Sequence, residues 1–355
     1  MGYKVIARRW RPRRFGEMVG QECIIRTLTH AIERNRIAHA YLFSGSRGTG
    51  KTTMARLFAM ALNTKDGPTV DFDPNEPICA AIWEGTHLDV LEIDGASNNS
   101  VDEVRALREQ CIYAPAECRY RIFIIDEVHM LTNAAFNALL KILEEPPGHV
   151  KFIFATTDAQ KVLPTIVSRC QRFNFRPISR DLMGKRLSEI AIAEGVVIEP
   201  GALEAVTRMA GGGMRDAQSI LEQMIAFCGK NICERDVLSM FALASEGEVR
   251  ALVDALINKD DKCVLAITGK WNELDIDSYR AGIDIREELQ RRLVSAVEKN
   301  APERTAIVSL LATLNGCERQ LSSAVAPEIT LVVALLLAIE NSRSRPIEEI
   351  MRALE

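Results

Sequence analysis

Eight consecutive residues constrain this 355-residue chain more than any others: Gly45-Ser46-Arg47-Gly48-Thr49-Gly50-Lys51-Thr52, set between a short apolar run and a helical pattern. Glycines at these spacings let the backbone bend so that successive N–H groups converge on one point. A helix starting there adds the positive end of its dipole. Such a loop holds a phosphate chain. Lys51 is then placed to reach the terminal phosphates and Thr52 to ligate Mg²⁺, with Gly45 to Thr53 forming the cradle. A Gly-rich turn without this role needs neither the lysine nor the threonine.

The surrounding pattern sets the fold class. Short apolar runs at 40–44, 88–93, 121–125 and 150–156 read as buried strands, and helical patterns at 52–62, 101–110 and 133–143 lie between them. Alternation of this kind predicts an α/β domain, a parallel sheet with helices on both faces, ending near Pro177. From Asp181 the pattern is wholly helical. Helices at 181–194, 201–209 and 215–227, the last after the Gly211-Gly212-Gly213 break, would make a small all-α lid. Another helical block begins at Glu246, with apolar positions recurring every three or four residues at 285–297, 306–314 and 329–339. The expected domains are 1–178, 179–242 and 243–355.

A second chemical element follows the loop. Ile122-Phe123-Ile124-Ile125-Asp126-Glu127 is an apolar strand ending in two carboxylates. Asp126 can hold the hydrated Mg²⁺ and Glu127 can polarise an attacking water, as a phosphoryl-transfer site requires. Thr156 and Thr157 close the next strand, where a hydroxyl could sense the γ-phosphate, although two β-formers at a strand end need no function. Arg215, at the head of a lid helix, could swing onto the γ-phosphate or could be an ordinary surface arginine.

Composition excludes several classes. No segment approaches the roughly 20 apolar residues of a membrane span, and the N-terminus lacks the apolar core of a secretory signal, so a cytoplasmic protein is expected. Nine scattered cysteines without CxxC spacing argue for reduced thiols. Net charge is only −4, yet residues 1–56 hold twelve Lys/Arg against three Asp/Glu, a basic stretch that attracts phosphates or simply faces solvent.

Six motifs in this order and spacing carry a resemblance: residues 45–52, Asp126-Glu127-Val128-His129, the Lys141-to-Pro147 run, Ala155-Thr156-Thr157-Asp158, Ser168-Arg169-Cys170 and Gly213-Met214-Arg215-Asp216-Ala217. Over roughly the first 240 residues the chain resembles the gamma/tau subunits of bacterial DNA polymerase III. The resemblance implies an AAA+ module, a three-helix lid and a helical collar through which a heteropentamer of clamp-loader subunits assembles. It implies a DNA-replication ATPase that uses ATP and Mg²⁺ to load a sliding clamp onto primer-template DNA. In the polymerase holoenzyme such a subunit holds no nucleotidyltransferase site itself, and no carboxylate set for two-metal transfer is recognisable here.

The same resemblance assigns Arg169 as a finger reaching a neighbouring subunit's nucleotide. It puts Arg11, Pro12, Val19 and Gly20 beside the adenine, and sets Arg105 and Lys141 where DNA-backbone contacts fall. The longer family form carries further C-terminal domains not found in these residues. One departure is plain: where the family has four zinc-binding cysteines, this sequence has Thr64, Asp73, Glu76 and Cys79. Structural zinc wants four Cys/His ligands, so none is expected. A helicase would need a second RecA-like α/β domain where this chain turns helical. A purely structural subunit would not need Lys51, Thr52, Asp126 and Glu127 together.

Overall fold

In a computed structural model, residues 4–343 are described; residues 344–355, counted above with the third domain, lie outside them, as do residues 1–3. The chain divides into two compact units, Met1–Ile232 and Cys233–Glu355. In the first, α1 (Ile6–Arg9) and α2 (Glu22–Glu33) precede β1 (Ala40–Gly45), α3 (Lys51–Asn63) and α4 (Pro77–Glu84). Then come β2 (Val90–Asp94), α5 (Val101–Ile112), β3 (Arg121–Asp126), α6 (Asn133–Glu144), β4 (Val150–Thr156), α7 (Pro164–Val167) and β5 (Gln171–Phe175).

All five strands are parallel, in the order β2-β3-β4-β1-β5. Alternate side chains of each strand go to opposite faces, and here both faces are covered. Tyr41, Phe43, Ile122, Ile124 and Ile153 pack with α2, α3 and α4; Leu42, Phe123, Ile125, Phe152 and Phe154 pack with α5, α6 and α7. Two-sided burial explains why these strands read as unbroken apolar runs rather than alternating ones. On the second face, the rings of Phe123, Phe152 and Phe154 stack in series at 5.4 and 5.8 Å.

Four strands were expected and five are present. β5, with the sequence QRFNF, buries only Phe173 and Phe175, because an edge strand has one covered face and three polar residues occupy the other positions. After it come α8 (Arg180–Ala193), α9 (Pro200–Met209) and α10 (Met214–Cys228). This region is not wholly helical as expected: β6 (Val197–Ile198) and β7 (Asn231–Ile232) form a short parallel pair. Its backbone bonds tie the segment before α9 to the chain leaving α10.

The second unit is helical throughout its described residues: α11 (Glu234–Met240), α12 (Glu246–Ile257), α13 (Asp261–Glu273), α14 (Ser278–Glu298), α15 (Arg304–Leu314), α16 (Cys317–Ser323) and α17 (Pro327–Arg343). Leu252, Leu256, Ile285, Leu289, Leu310, Leu335 and Ile339 form its core. Glu288, nearly buried, is held by Arg291 and Arg292 at 3.1 Å each. A buried carboxylate is tolerated only when paired in this way.

Phe154 is fully buried within the stacked series. Phe154→Ala is expected to cost about 3–5 kcal/mol through lost contacts and a residual cavity. The check is the urea-unfolding free energy of the variant against wild type.

Candidate functional site

The phosphate loop begins where β1 ends. Gly45 pairs with Phe175 of β5 at φ +147°, and a Cβ there would fall 2.3 Å from the Phe175 carbonyl oxygen. Only glycine lets these two backbones meet. Gly50, at φ +101°, caps α3, and a Cβ on it would lie 2.7 Å from Met18 Cε. The loop is therefore a cradle lined by backbone at the positive end of a thirteen-residue helix.

Lys51 is buried at the head of α3, and its ammonium donates to the carbonyls of Gly45 and Ser46 at 2.8 Å each. Burial lowers its pKa, opposed by Glu127 and Asp126. Thr49 donates to the Ser46 carbonyl, which tightens the same turn. The Thr52 hydroxyl donates to Asp126 Oδ2 at 2.7 Å, so the two expected Mg²⁺ ligands meet although they are 74 positions apart. A hydroxyl and a carboxylate beside a phosphate cradle are the hard oxygen donors that Mg²⁺ takes, with water and phosphate completing the shell.

Glu127 carries the strained backbone of this site, φ +46° on a non-glycine residue. Its N–H donates to Asp126 Oδ1 at 3.0 Å. Its carboxylate accepts from the Thr157 N–H at 3.0 Å and hydroxyl at 2.9 Å, with His129 Nδ1 3.2 Å away. Of the two threonines, Thr157 is the one placed against Glu127. Thr156 is fully buried, its hydroxyl engaged with His129 Nδ1 and the Asp158 N–H, and it does not line the cleft.

The loop opens into a cleft of about 690 Å³. Arg11, Pro12, Met18 and Val19 form one wall, and Arg215, Met214 and Gln218 of α10 form another. Gly20 lies behind the wall, at φ +75°, against Ile178. The loop and α10 approach closely: a Cβ on Gly48 would lie 3.0 Å from Gly213 Cα, and Arg47 stands 3.8 Å from Asp216. Seven cations (Arg8, Arg11, Arg47, Lys51, Arg56, Arg186, Arg215) face five carboxylates (Glu17, Glu84, Glu92, Asp126, Glu127) across this space. The cleft favours an anion.

Arg11 registers that excess. Burial first, and then Arg56, pull its pKa to about 10; Arg215 acts in the same direction, while Glu92 and Asp126 oppose. Its Nε donates to Thr53 Oγ1 at 2.9 Å. The segment carrying it also reaches the helices after β5: Arg9 pairs with Glu194 at 2.6 Å, Trp10 Nε1 donates to the same carboxylate at 2.8 Å, and the Ile6 N–H donates to Glu222. Sequence reading missed Trp10, Met18, Arg56, Glu92, Ile178 and Arg186 as wall residues. Arg56 had a legible signal, one helical turn beyond Thr52 and so on the same face; the others gave none.

Three expected residues lie away from this cleft. Arg169 follows α7, pairs with Glu144 at 3.0 Å and donates to the Thr165 carbonyl at 2.8 Å. Arg105 on α5 is exposed beside Asp102 at 3.0 Å, and Lys141 is exposed on the neighbouring α6.

The four positions of the expected zinc departure are also informative. Thr64 donates to Glu76, Glu76 also accepts from the Lys65 N–H at 3.0 Å, and Cys79 Sγ lies 3.8 Å from it. Asp73 instead accepts from the Asn75 N–H. Burial, then Glu76, raises the Cys79 thiol to about 11, against the thiolate that zinc needs. A separate trio, His87, Asp89 and Cys118, has ligand atoms within 4.8 Å of one another. Its donors are already used. Asp89 accepts from the N–H groups of Ala116, Glu117 and Cys118 and from Arg121. His87 Nδ1 accepts from the Asp89 N–H at 3.0 Å, which leaves the ring proton on Nε2.

A phosphate cradle with a Thr–Asp pair and a second carboxylate beside it, and an arginine-bearing helical segment across the cleft, mounted on a 2-3-4-1-5 parallel sheet, define a P-loop ATPase of the AAA+ class. A family model described as DNA polymerase III, delta subunit, matches residues 20–179, and one described as DNA polymerase III clamp loader subunit, ATPase lid domain, matches 183–230. The tau subunit of Bacillus subtilis (strain 168) is 47% identical over 261 residues, covering 73% of this chain and 46% of that protein. The gamma subunit of Buchnera aphidicola subsp. Acyrthosiphon pisum (strain APS) is 40% identical over 287 residues, covering 79% and 80%. The chain belongs to the DNA polymerase III gamma/tau subunit family. It spans less than half the length of the Bacillus subtilis and Escherichia coli tau subunits, 46% and 42%. Among solved structures, the Thermotoga maritima RuvB Holliday junction branch migration motor is similar at 20% identity, 70% and 79% coverage and a TM-score of 0.49, a likeness too slight to bear on function.

Asp89 is fully buried, and although burial raises its pKa, its backbone donors and Arg121 lower it below the usual carboxylate value. Its stabilisation is therefore present above the unfolded value of about 4 and is lost as pH falls through the lower native value. Asp89→Asn is expected to cost about 1–3 kcal/mol at pH 7 and to flatten the acid limb of stability. Urea midpoints between pH 2 and 7 measure both.

Proposed function

We propose that this chain is the ATPase motor subunit of a DNA polymerase III clamp loader. ATP binding in the cleft assembles a heteropentameric spiral that grips an opened sliding clamp and primer-template DNA, and hydrolysis releases both. The observation that carries this reading is a complete nucleotide site paired with a second phosphate-suited arginine, Arg169, half-buried, outside the lining of its own cleft, with its guanidinium held among the described residues by Glu144 and the Thr165 carbonyl. An arginine so placed serves a neighbour's nucleotide, where it would neutralise charge developing on the transferred phosphoryl group.

The residues divide the work. Lys51 and the 45–53 backbone hold the triphosphate; Arg11, Pro12, Val19 and Gly20 border the nucleoside end. Thr52 and Asp126 would hold Mg²⁺, which supplies charge neutralisation and orientation. Glu127 orients water, Thr157 restrains Glu127, and Thr156 stiffens the strand end through His129. Arg215 carries the lid to the γ-phosphate. Arg105 and Lys141 contact DNA phosphates, so binding weakens with salt and ignores sequence. Residues 1–178 act as the AAA+ module, 179–242 as the lid and 243–355 as the collar, in a cytoplasmic complex. No structural zinc is held, since Glu76 and Cys79 satisfy each other's neighbourhood with Thr64 in place of a metal.

Glu127→Gln is expected to keep Mg-ATP binding within about threefold and to lower turnover at least 100-fold, the scale of losing a general base. Equilibrium nucleotide binding beside phosphate release checks it; retained turnover would remove Glu127 from its role. In the chain mixed with its partner subunits, clamp and primed DNA, Arg169→Ala is expected to cut DNA-stimulated ATPase by about 1,000-fold while leaving ATP binding to the isolated chain unchanged. Clamp loading undiminished in that variant would overturn the trans assignment.

A further inference from the structure

We propose that Trp83 is a positioning residue of the nucleotide site, acting through the arginines gathered on its indole. Trp83 sits in the last turn of α4, partly buried against the core that also receives α3. Three guanidiniums surround its ring: Arg11 at 5.3 Å, Arg13 at 5.8 Å and Arg56 at 6.0 Å from the centroid. Arg56 is fixed by Glu92 at 2.6 and 2.9 Å and by the carbonyl of Trp83 itself at 2.6 Å. No such carboxylate serves the other two. Among the described residues, none lies within ion-pair distance of the Arg11 or Arg13 guanidinium.

Like charges this close repel, and the negative face of an indole offsets them here alongside the more distant carboxylates of Glu92 and Asp126. The inference rests on the nucleotide-binding reading. Trp83 and Arg13 do not line the cleft, whereas Arg11 and Arg56 do. Trp83 therefore touches no substrate; it keeps Arg11 against Thr53, the residue after the Mg²⁺-side threonine, and so presents a charged wall to the incoming nucleotide. This also gives α4 a role in a segment that carries no metal-ligand set of its own: it braces the basic N-terminal arm.

The test is a KM-against-kcat split in the full chain with its partner subunits, together with direct Mg-ATP binding. Trp83→Leu keeps the apolar bulk and removes the ring, and is expected to raise KM and Kd about fivefold with kcat within twofold. Trp83→Phe restores a π face and should return both to within about twofold. Wild-type values in Trp83→Leu, equal loss in both variants, or a loss confined to kcat would each overturn the assignment. Should Trp83→Leu not fold, the indole emission obtained as wild type minus Trp83→Phe decides: it changes on Mg-ATP titration if the arginines respond to nucleotide, and its constancy rejects the role. Lys51→Ala is run alongside. If wild type and Lys51→Ala alike fail to hold Mg-ATP, the nucleotide reading itself has failed; if wild type binds and the Trp83 variants match it, the Trp83 role alone falls.

Discussion

The site depends on the contact between Thr52 and Asp126, 2.7 Å across 74 residues of chain. That contact exists because β1 and β3 both run parallel to β4 and end on the same edge of the sheet. Their C-terminal loops then face one crevice, the usual place for ligands in an open α/β sheet. The apolar strands do more than bury surface. With both faces of the sheet packed, a one-residue slip would drive Phe123, Phe152 and Phe154 into the helices of the opposite face, so the register that brings a loop hydroxyl to a strand-end carboxylate is held.

Local chemistry explains which parts of this architecture the sequence discloses. The phosphate loop, the Asp126-Glu127 pair and the first four strands in chain order follow from patterns that are local and strongly periodic. β5 escapes because its partner, β1, lies 130 residues upstream in every paired position and its outer face is polar. The short β6–β7 pair escapes because two residues carry no period at all. The cleft walls are harder still: Arg56 is legible from its place one turn beyond Thr52, but Trp10, Glu92 and Arg186 join it only through tertiary packing, and nothing in their spacing distinguishes them from surface residues. Thr156 and Thr157 show the limit most sharply, since nothing in two adjacent residues of the same type says that the first is engaged with His129 and the second donates to Glu127.

The N-terminal segment, which forms one wall of the cleft, holds two other parts at once. Arg9 and Trp10 are bound to Glu194 beyond β5, while Arg11, one residue on, is bound to Thr53 in α3. A chain fixed at neighbouring residues to two bodies cannot let one shift far without straining the other. Lid position and the wall beside the phosphate loop are coupled through a single stretch of backbone.

Glu127 has a mechanical consequence of its own. Its carboxylate shares an oxygen with two donors of Thr157, on a backbone already held in the left-handed region. The tips of β3 and β4 are thereby tied together, so a displacement of one strand-end loop passes to the other as through a hinge pin.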